Sequence, residues 1–531
     1  MGDRYDALVI GGGLAGLTFA YQLKKEMPDA TVLVVDRHRH PVPEAAFKVG
    51  ESTSEVAAFY LREVLGLGPH LESSQLRKFA IRFFLPAGRN DDIASRVEIG
   101  ISDFFPSVTY QLDRGRFENY LFEACAAQGV ELIDSASVES ADIDRDGHLV
   151  VLGTEEGKRR VRARWLVDAS GRRSFLKRKL DLHQRLDHDI NAAWFRVGHR
   201  VDLGQWSEDS DYRNRVVGAK RWLSTNHLMG YGYWVWLIPL ASGSTSIGVV
   251  TDPSIVPLAD LSSMERVLAW LHQHEPQCAA AVEGLPVQDF RAMHTHAYTP
   301  KRSVSTDRWL LTGESAVFFD PLYSPGSDVI AIANTLLCWL LGKDLRGEDI
   351  SDLTEIVNTT LNTMGEVALP FWRGAYPVMG DPQTFAYKLL WDNESYFSMI
   401  ATPWTHTRWT DVNFLLEYLP LAVRFNVLSQ QVQSTLRARA RADSSAYEPR
   451  FIDAVGTYGE ELNAQISRPM EAAEMIPLAE HNLQYLSVIA ASITGNRNLG
   501  EGANAEVTAL AQAEFEHTRL KPARSNIAIA T

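Results

Sequence analysis

A glycine run near the N-terminus is the first feature whose residue types and spacing could do chemistry. Tyr5–Ile10 is an apolar, β-branched strand pattern that runs into Gly11-Gly12-Gly13-Leu14-Ala15-Gly16. The helix-forming run Leu17–Lys25 follows, then a second strand pattern, Thr31–Val35, closing on Asp36. The order is strand, G-x-G-x-x-G, helix, strand, acid. In such a turn Gly11 permits the tight bend, Gly13 lets a pyrophosphate approach the backbone, and Gly16, after Ala15, lets the helix pack on the sheet. The N–H groups and dipole at the helix start then hold phosphate oxygens. Asp36, 20 residues beyond Gly16, is placed to accept from a ribose hydroxyl. The spacing implies a dinucleotide without separating FAD from NAD.

Three later segments bear on that choice. Gln111-Leu112-Asp113-Arg114-Gly115-Arg116-Phe117 leads into the helical pattern Phe117–Gln128. The strand pattern Arg162–Val167 ends at Asp168-Ala169-Ser170-Gly171-Arg172, and Arg308–Thr312 ends at Gly313-Glu314-Ser315-Ala316. These segments resemble the recurrent flavin contacts of the FAD-dependent monooxygenase and halogenase superfamily. The resemblance implies that Arg114 touches the flavin nucleotide and that Glu314, beside Gly313, binds the ribityl chain, a position more often held by aspartate. It makes FAD the expected cofactor. An NAD-only enzyme would not need three return visits to one dinucleotide.

Tyr233-Trp234-Val235-Trp236-Leu237-Ile238-Pro239 contains W-x-W-x-I-P, which resembles the signature of flavin-dependent halogenases. Taken as residues, Trp234 and Trp236 share one face of an aromatic strand and could be core. The resemblance instead makes Trp234, Trp236 and Pro239 part of a substrate or tunnel wall. Lys48-Val49-Gly50-Glu51-Ser52-Thr53 is similar to the turn beside the flavin in those enzymes, and implies cofactor contacts at Glu51, Ser52 and Thr53. After the helical stretch Glu55–Leu65, Lys78-Phe79-Ala80-Ile81-Arg82-Phe83-Phe84 matches the pattern in which the family's catalytic lysine precedes a short strand. That lysine is Lys78; Lys48 and Arg82 are the competing cations. In a halogenase, FADH2, O2 and a halide yield hypohalous acid. A lysine ammonium can hold it by a charge-assisted hydrogen bond, and the amine form can carry it as a haloamine. The resemblance covers Tyr5 to Leu341.

Phe318-Phe319-Asp320-Pro321-Leu322-Tyr323-Ser324-Pro325-Gly326-Ser327 occupies the family's flavin and halide loop. The resemblance places Pro321 and Gly326 against the flavin, and the N–H groups of Ser324, Gly326 and Ser327 around a chloride or bromide. Two positions depart from the best-known pattern. Tyr323 stands where tryptophan halogenases carry a glutamate, which argues against free tryptophan and leaves phenols and pyrroles, free or carrier-tethered. Pro325 has no N–H to offer, so the halide would rely on a nest of neighbouring donors.

The elements expected to position these residues make an α/β protein. A Rossmann-type FAD-binding domain and a mixed β-sheet substrate region (roughly 190–300) fill residues 1–340. A helical C-terminal domain spans 341–500, and 501–531 form a tail. Apolar residues three or four apart predict helices at Asp352–Gly365, Val412–Phe425, Gln430–Arg441, Phe451–Gln465 and His481–Ser492. The aromatics Phe371, Trp372, Trp391, Tyr396, Phe397, Trp404 and Trp409 are expected to be packing or a lid over an apolar substrate. With 531 residues the chain exceeds one core. Lys plus Arg number 52 against 66 Asp plus Glu, a net charge of −14, which disfavours nucleic acid. Cys125, Cys278 and Cys338 lie far apart and fit a reducing compartment. No H-x-x-x-H or H-E-x-x-H pair supports a metal site, and no G-x-S-x-G elbow supports a hydrolase. A cytoplasmic protein outside the membrane is expected, working with a small aromatic substrate and a separate flavin reductase. The alternative is a monooxygenase or dehydrogenase of the same fold that has lost halide use.

Overall fold

Ile10, Val35, Asp168 and Leu311 end four neighbouring parallel strands, and the chain turns toward the candidate nucleotide site at each of these ends. This arrangement is seen in a computed structural model that describes residues 4–44, 48–86, 90–440 and 447–522. Arg4–Ile10 pairs in parallel with both Val32–Val35 and Gly157–Asp168, and the latter pairs in parallel with Trp309–Leu311. Glu131–Ile133 extends the sheet beyond Val32–Val35, and an antiparallel hairpin grows from the first half of Gly157–Asp168. The central strand shows no apolar–polar alternation because both its faces are covered: Ala7, Leu8 and Val9 are fully buried. The helix Leu14–Glu26 lies against this sheet and begins one turn earlier than its apolar pattern suggests.

A second sheet has eight strands in the order Val287–Pro300, His183–Val197, Thr245–Thr251, Tyr233–Pro239, Thr225–Gly230, Ile81–Leu85, Val97–Gly100 and Phe451–Asp453. Its last member comes from the C-terminal third. The stretch Phe451–Gln465, expected as one helix, divides instead. Phe451–Asp453 joins the sheet edge in parallel with Val97–Gly100, and a helix resumes only at Tyr458–Gln465. Gly456, at φ +77°, makes the break between them.

The other described elements of residues 341–500 are helical, save an isolated bridge at Tyr447, and the helix Pro325–Leu345 runs across position 340. Val412–Phe425 and Gln430–Arg441, expected as two helices, form one, Val412–Arg439, with Pro420 inside it. Pro420 sits on the exposed side, where water can satisfy the carbonyl it frees, while the buried stripe Phe414, Tyr418, Leu421, Phe425 and Val432 continues past it. The tail expected at 501–531 is ordered over Ala505–His517, a helix capped by Asn504 and buried through Val507 and Ala511. Residues 523–531 lie outside the described residues. Pro325–Leu345 is long and apolar enough to cross a membrane by length and composition, but 72% of that window is buried inside the fold.

Candidate active site

The nucleotide end is assembled at the carboxyl ends of the parallel strands. Gly11 has φ +111°, and any side chain there would strike the Ala169 carbonyl. Gly13 differs: a Cβ placed on it meets nothing within 4 Å, so the space above the turn is open. Asp36 lies at its floor and accepts N–H bonds from Gly12 (3.1 Å) and His38 (3.0 Å). Burial pushes the Asp36 pKa up, but hydrogen bonds from His40 and the His38 N–H outweigh it and hold the carboxyl below its usual range. Arg114 starts the helix Arg114–Ala127 and donates to the Val49 carbonyl at 2.6 Å and to Glu118 at 2.5 Å. Its Nε is buried with no partner. Gly313 packs on Ala15, leaving 2.7 Å between the Ala15 Cβ and a Cβ built on Gly313. Glu314 is partly exposed and paired with Arg172 at 3.1 Å.

The open cradle at Gly13 and the orphaned Arg114 Nε both fit an FAD that would fill the first and accept from the second. The turn Glu51-Ser52-Thr53 reaches the same neighbourhood, but its side chains are committed to protein. Glu51 is buried and accepts from Arg196 at 2.9 Å, Ser52 accepts from Thr225 at 2.8 Å, and Thr53 bonds the Tyr110 backbone. Those three side chains therefore shape the turn, and contacts to a cofactor are left to its backbone.

Of the three candidate cations, one faces a cavity. Arg82 is fully buried in a cluster with Glu98, and Lys48 pairs with Glu118. Lys78 ends the short strand Leu76–Lys78, held against Thr109–Gln111, and its ammonium donates to the Thr53 carbonyl at 2.7 Å. It lines a cavity of about 280 Å³ whose walls are mostly apolar. Burial lowers the Lys78 pKa to about 8, against the opposing pull of Glu55 and Asp328. Near neutral pH the group is therefore mostly charged with an accessible amine form.

The loop Phe318–Ser327 follows Gly313–Ser315 at the nucleotide end and contributes Phe319, Tyr323 and Pro325 to the cavity wall. Asp320, buried at its centre, accepts from His188 (2.7 Å), the Tyr376 hydroxyl (2.8 Å) and the Leu322 N–H (2.8 Å). Tyr323 and Ser324 both sit at positive φ, +71° and +61°, a costly conformation for residues with side chains. The kink ends where Pro325 begins the helix Pro325–Leu345. Pro325 thus occupies the first helical position, where proline is at home, and Gly326 and Ser327 follow with N–H groups that no intrahelical carbonyl reaches. Ser324 is different from expectation: its N–H closes the turn onto the Pro321 carbonyl at 3.1 Å and is not available to an anion. Tyr323 and Pro325 line the cavity, whereas Ser324, Gly326 and Ser327 do not.

Trp234 and Trp236, expected at the substrate wall, do not line the cavity, nor does Pro239. They are core residues with a supporting part. Trp234 Nε1 donates to Tyr376, which holds Asp320, and Trp236 Nε1 donates to Ser246, which bonds Glu51. The C-terminal aromatics divide. Phe371, Trp372, Tyr396 and Phe397 line the cavity, while Trp391, Trp404 and Trp409 are packing. Sequence reasoning missed the acids of the chamber, namely Glu55, Asp328, Asp392, Glu394 and Glu514. Nothing in local spacing marks them, since Glu55, Asp328, the Asp392–Glu394 pair and Glu514 come from four separate segments of the chain.

A family described as "FAD binding domain" matches residues 4–356. The chain belongs to that family. Within it, the resemblance to flavin-dependent halogenases holds, so the family member is a flavoprotein oxidoreductase with FAD as its cofactor. Over 430 residues it is 25% identical to "Flavin-dependent halogenase chlA" of Dictyostelium discoideum, covering 75% of this chain and 70% of that one. It is 27% identical to the 1H-pyrrole-2-carbonyl-(peptidyl-carrier protein) chlorinase of Pseudomonas fluorescens, covering 61% of this chain and 73% of the relative. In fold, it is similar to the crystal structure of halogenase PltM in complex with phloroglucinol and FAD, with a TM-score of 0.65 and 18% identity. That likeness covers 97% of this chain and 98% of the other, so it extends through the helical C-terminal third of this FAD-binding family member.

Proposed function

We propose that this flavoprotein chlorinates or brominates a phenolic or pyrrolic ring in secondary metabolism, using FADH2 and O2. The observation that carries the proposal is Lys78, a buried ammonium tethered to the Thr53 carbonyl and facing an aromatic-lined cavity. When bound, the reduced flavin supplies, with oxygen and halide, the oxidising power that makes hypohalous acid. In this reading the N–H groups of Gly326 and Ser327 hold the halide, and Pro325 removes only a donor at the first helical position. Lys78 receives the hypohalous acid through the N–H bonds it does not spend on Thr53, and holds it against the ring. Tyr323, anchored to Asp392 at 2.9 Å, closes the cavity on the loop side and excludes water. One dinucleotide fingerprint in the chain fits reduction of the flavin by a separate reductase. A carrier-tethered substrate is the variant suggested by the pyrrole chlorinase relative.

The test is the mass of products formed from FADH2, oxygen, bromide or chloride and a panel of phenols and pyrroles. A product heavier by one halogen, lost in Lys78→Ala, is the expected result. Hydroxylated product, or flavin reoxidation indifferent to either halide, would favour the monooxygenase or dehydrogenase alternative.

A further inference from the structure

Glu55 lines the cavity with Lys78 and, together with Asp328, acts on its charge. It begins the helix Glu55–Phe59, immediately after the turn that tethers Lys78, and is only partly buried where its neighbours Ser54 and Val56 are buried. Its hydrogen-bond partners are neutral: its own N–H, the Asn463 amide at a long 3.4 Å and the Ser107 hydroxyl. Ser107 is itself fixed to Asn463 by its N–H at 3.1 Å. Two other carboxylates of the chamber, Asp328 and Asp392, hold their donors at shorter distances. Asp328 has one oxygen on the Ala57 N–H and the other on the Tyr396 hydroxyl, both at 2.8 Å. Asp392 takes Lys388, Tyr323 and Gln433. A carboxylate offers about four acceptor positions, so Glu55 keeps capacity for a donor from the cavity. Burial raises its pKa, and the Lys78 ammonium opposes that shift.

We propose that Glu55 accepts the proton of a ring hydroxyl on the substrate, and that the ring halogenated beside Lys78 is therefore a phenol with an unblocked hydroxyl. The inference rests on the halogenation reading above. As the phenolic O–H bond breaks, its proton passes to the Glu55 carboxylate and its electron pair is pushed into the ring. The ring carbon attacks the halogen of hypohalous acid, forming the carbon–halogen bond and breaking the halogen–oxygen bond. The departing hydroxide takes a proton from the Lys78 ammonium and leaves as water. The dienone so formed loses its ring proton to the Lys78 amine and recovers its hydroxyl proton from Glu55. The balance is phenol plus hypohalous acid giving halophenol plus water, with Lys78 and Glu55 returned to their starting states.

Two measurements on the full-length FAD-loaded protein test this. In the first, Glu55→Gln should lower kcat/KM for a phenol by about 100-fold, with Glu55→Asp recovering part of it. Trapping of hypohalous acid by monochlorodimedone should stay at the wild-type level. Turnover within about threefold of wild type would overturn the assignment. In the second, which needs no halogenation, wild type should bind a phenol at least about tenfold more tightly than its O-methyl ether, and Glu55→Gln should erase the difference. Equal binding of phenol and ether by wild type would overturn it as well. Phenol preference without any halogenated product would retain Glu55 as the hydroxyl acceptor while sinking the halogenase reading. Should Glu55→Gln fail to fold, Asn463→Leu should weaken the same phenol preference, and an unchanged preference there counts against the proposal.

Discussion

Tyr376, from the C-terminal third, donates its hydroxyl to Asp320 at 2.8 Å and so fixes the centre of the loop Phe318–Ser327, which lines the cavity. His188 and the Leu322 N–H complete the set of donors around that buried carboxylate. The helical region is thus part of the loop's support as well as a cover over the cavity.

Tyr376→Phe removes one donor from Asp320 and the acceptor of Trp234 Nε1. It should cost about 1–3 kcal/mol in unfolding free energy, because buried polar groups are left short of partners. Chemical denaturation measures the loss, and weakened FAD binding in the same variant would show that the loop has moved.

Gly13→Val isolates the cofactor from the fold. A Cβ at Gly13 meets no protein atom within 4 Å, so the apoprotein should melt within about 2 °C of wild type. Flavin binding, followed by absorbance titration, should be lost because the branched side chain fills the pyrophosphate space.

Lys78→Met should abolish halogenated product and stabilise the protein at pH 7. The Lys78 pKa of about 8, against about 10.4 unfolded, means that the unfolded chain binds more protons between those values. Folding of wild type is therefore penalised most below pH 8, and the penalty fades as pH rises toward 10.4. An upper bound is about 3 kcal/mol. Denaturation of both proteins at pH 7 and pH 9.5 checks the sign: the advantage of the methionine variant should shrink at the higher pH.

Lys388→Met should be the harsher change although it lies farther from the chemistry. Lys388 and Asp392 are a buried pair at 2.8 Å, and Asp392 in turn holds Tyr323. Removing the lysine strands a buried carboxylate, at a cost of about 3–5 kcal/mol. Lys388→Met with Asp392→Leu should recover much of that stability, as urea midpoints would report.

The nucleotide-binding half was legible because its signals are local. Ile10, Gly11, Gly13, Gly16 and Asp36 lie within one strand–turn–helix–strand unit, where chain spacing and spatial placement coincide. The strand Tyr233–Pro239 was legible as a strand, and its residues allowed Trp234 and Trp236 as core; the resemblance, not the pattern, assigned them to a wall. Both faces of that sheet are covered, with Trp234 and Trp236 in one core and Tyr233, Val235 and Leu237 in another, so alternation carries no sign of an open wall. Pro420 concealed a continuous helix, since its cost depends on which side faces water. Phe451–Asp453 is a strand only because Val97–Gly100 offers an edge to it. Glu55 and Asp328, beside Lys78, were invisible for the same reason: their partners Asn463 and Ser107, and Ala57 and Tyr396, lie far away in the chain.

The link between Asn463 and Glu55 spans 408 residues, and that between Asn463 and Ser107 spans 356. Contacts of such separation form late, because loop closure must come before they add stability. During synthesis the N-terminal strands and their glycine turn can assemble first. The chamber that surrounds Lys78 is complete only when the last third of the chain has docked, so the closed cavity is acquired after the nucleotide site. A ribosome-bound or truncated chain ending before residue 451 would lack both the edge strand and the Asn463 clamp, leaving it a flavin binder with no closed room for the reaction.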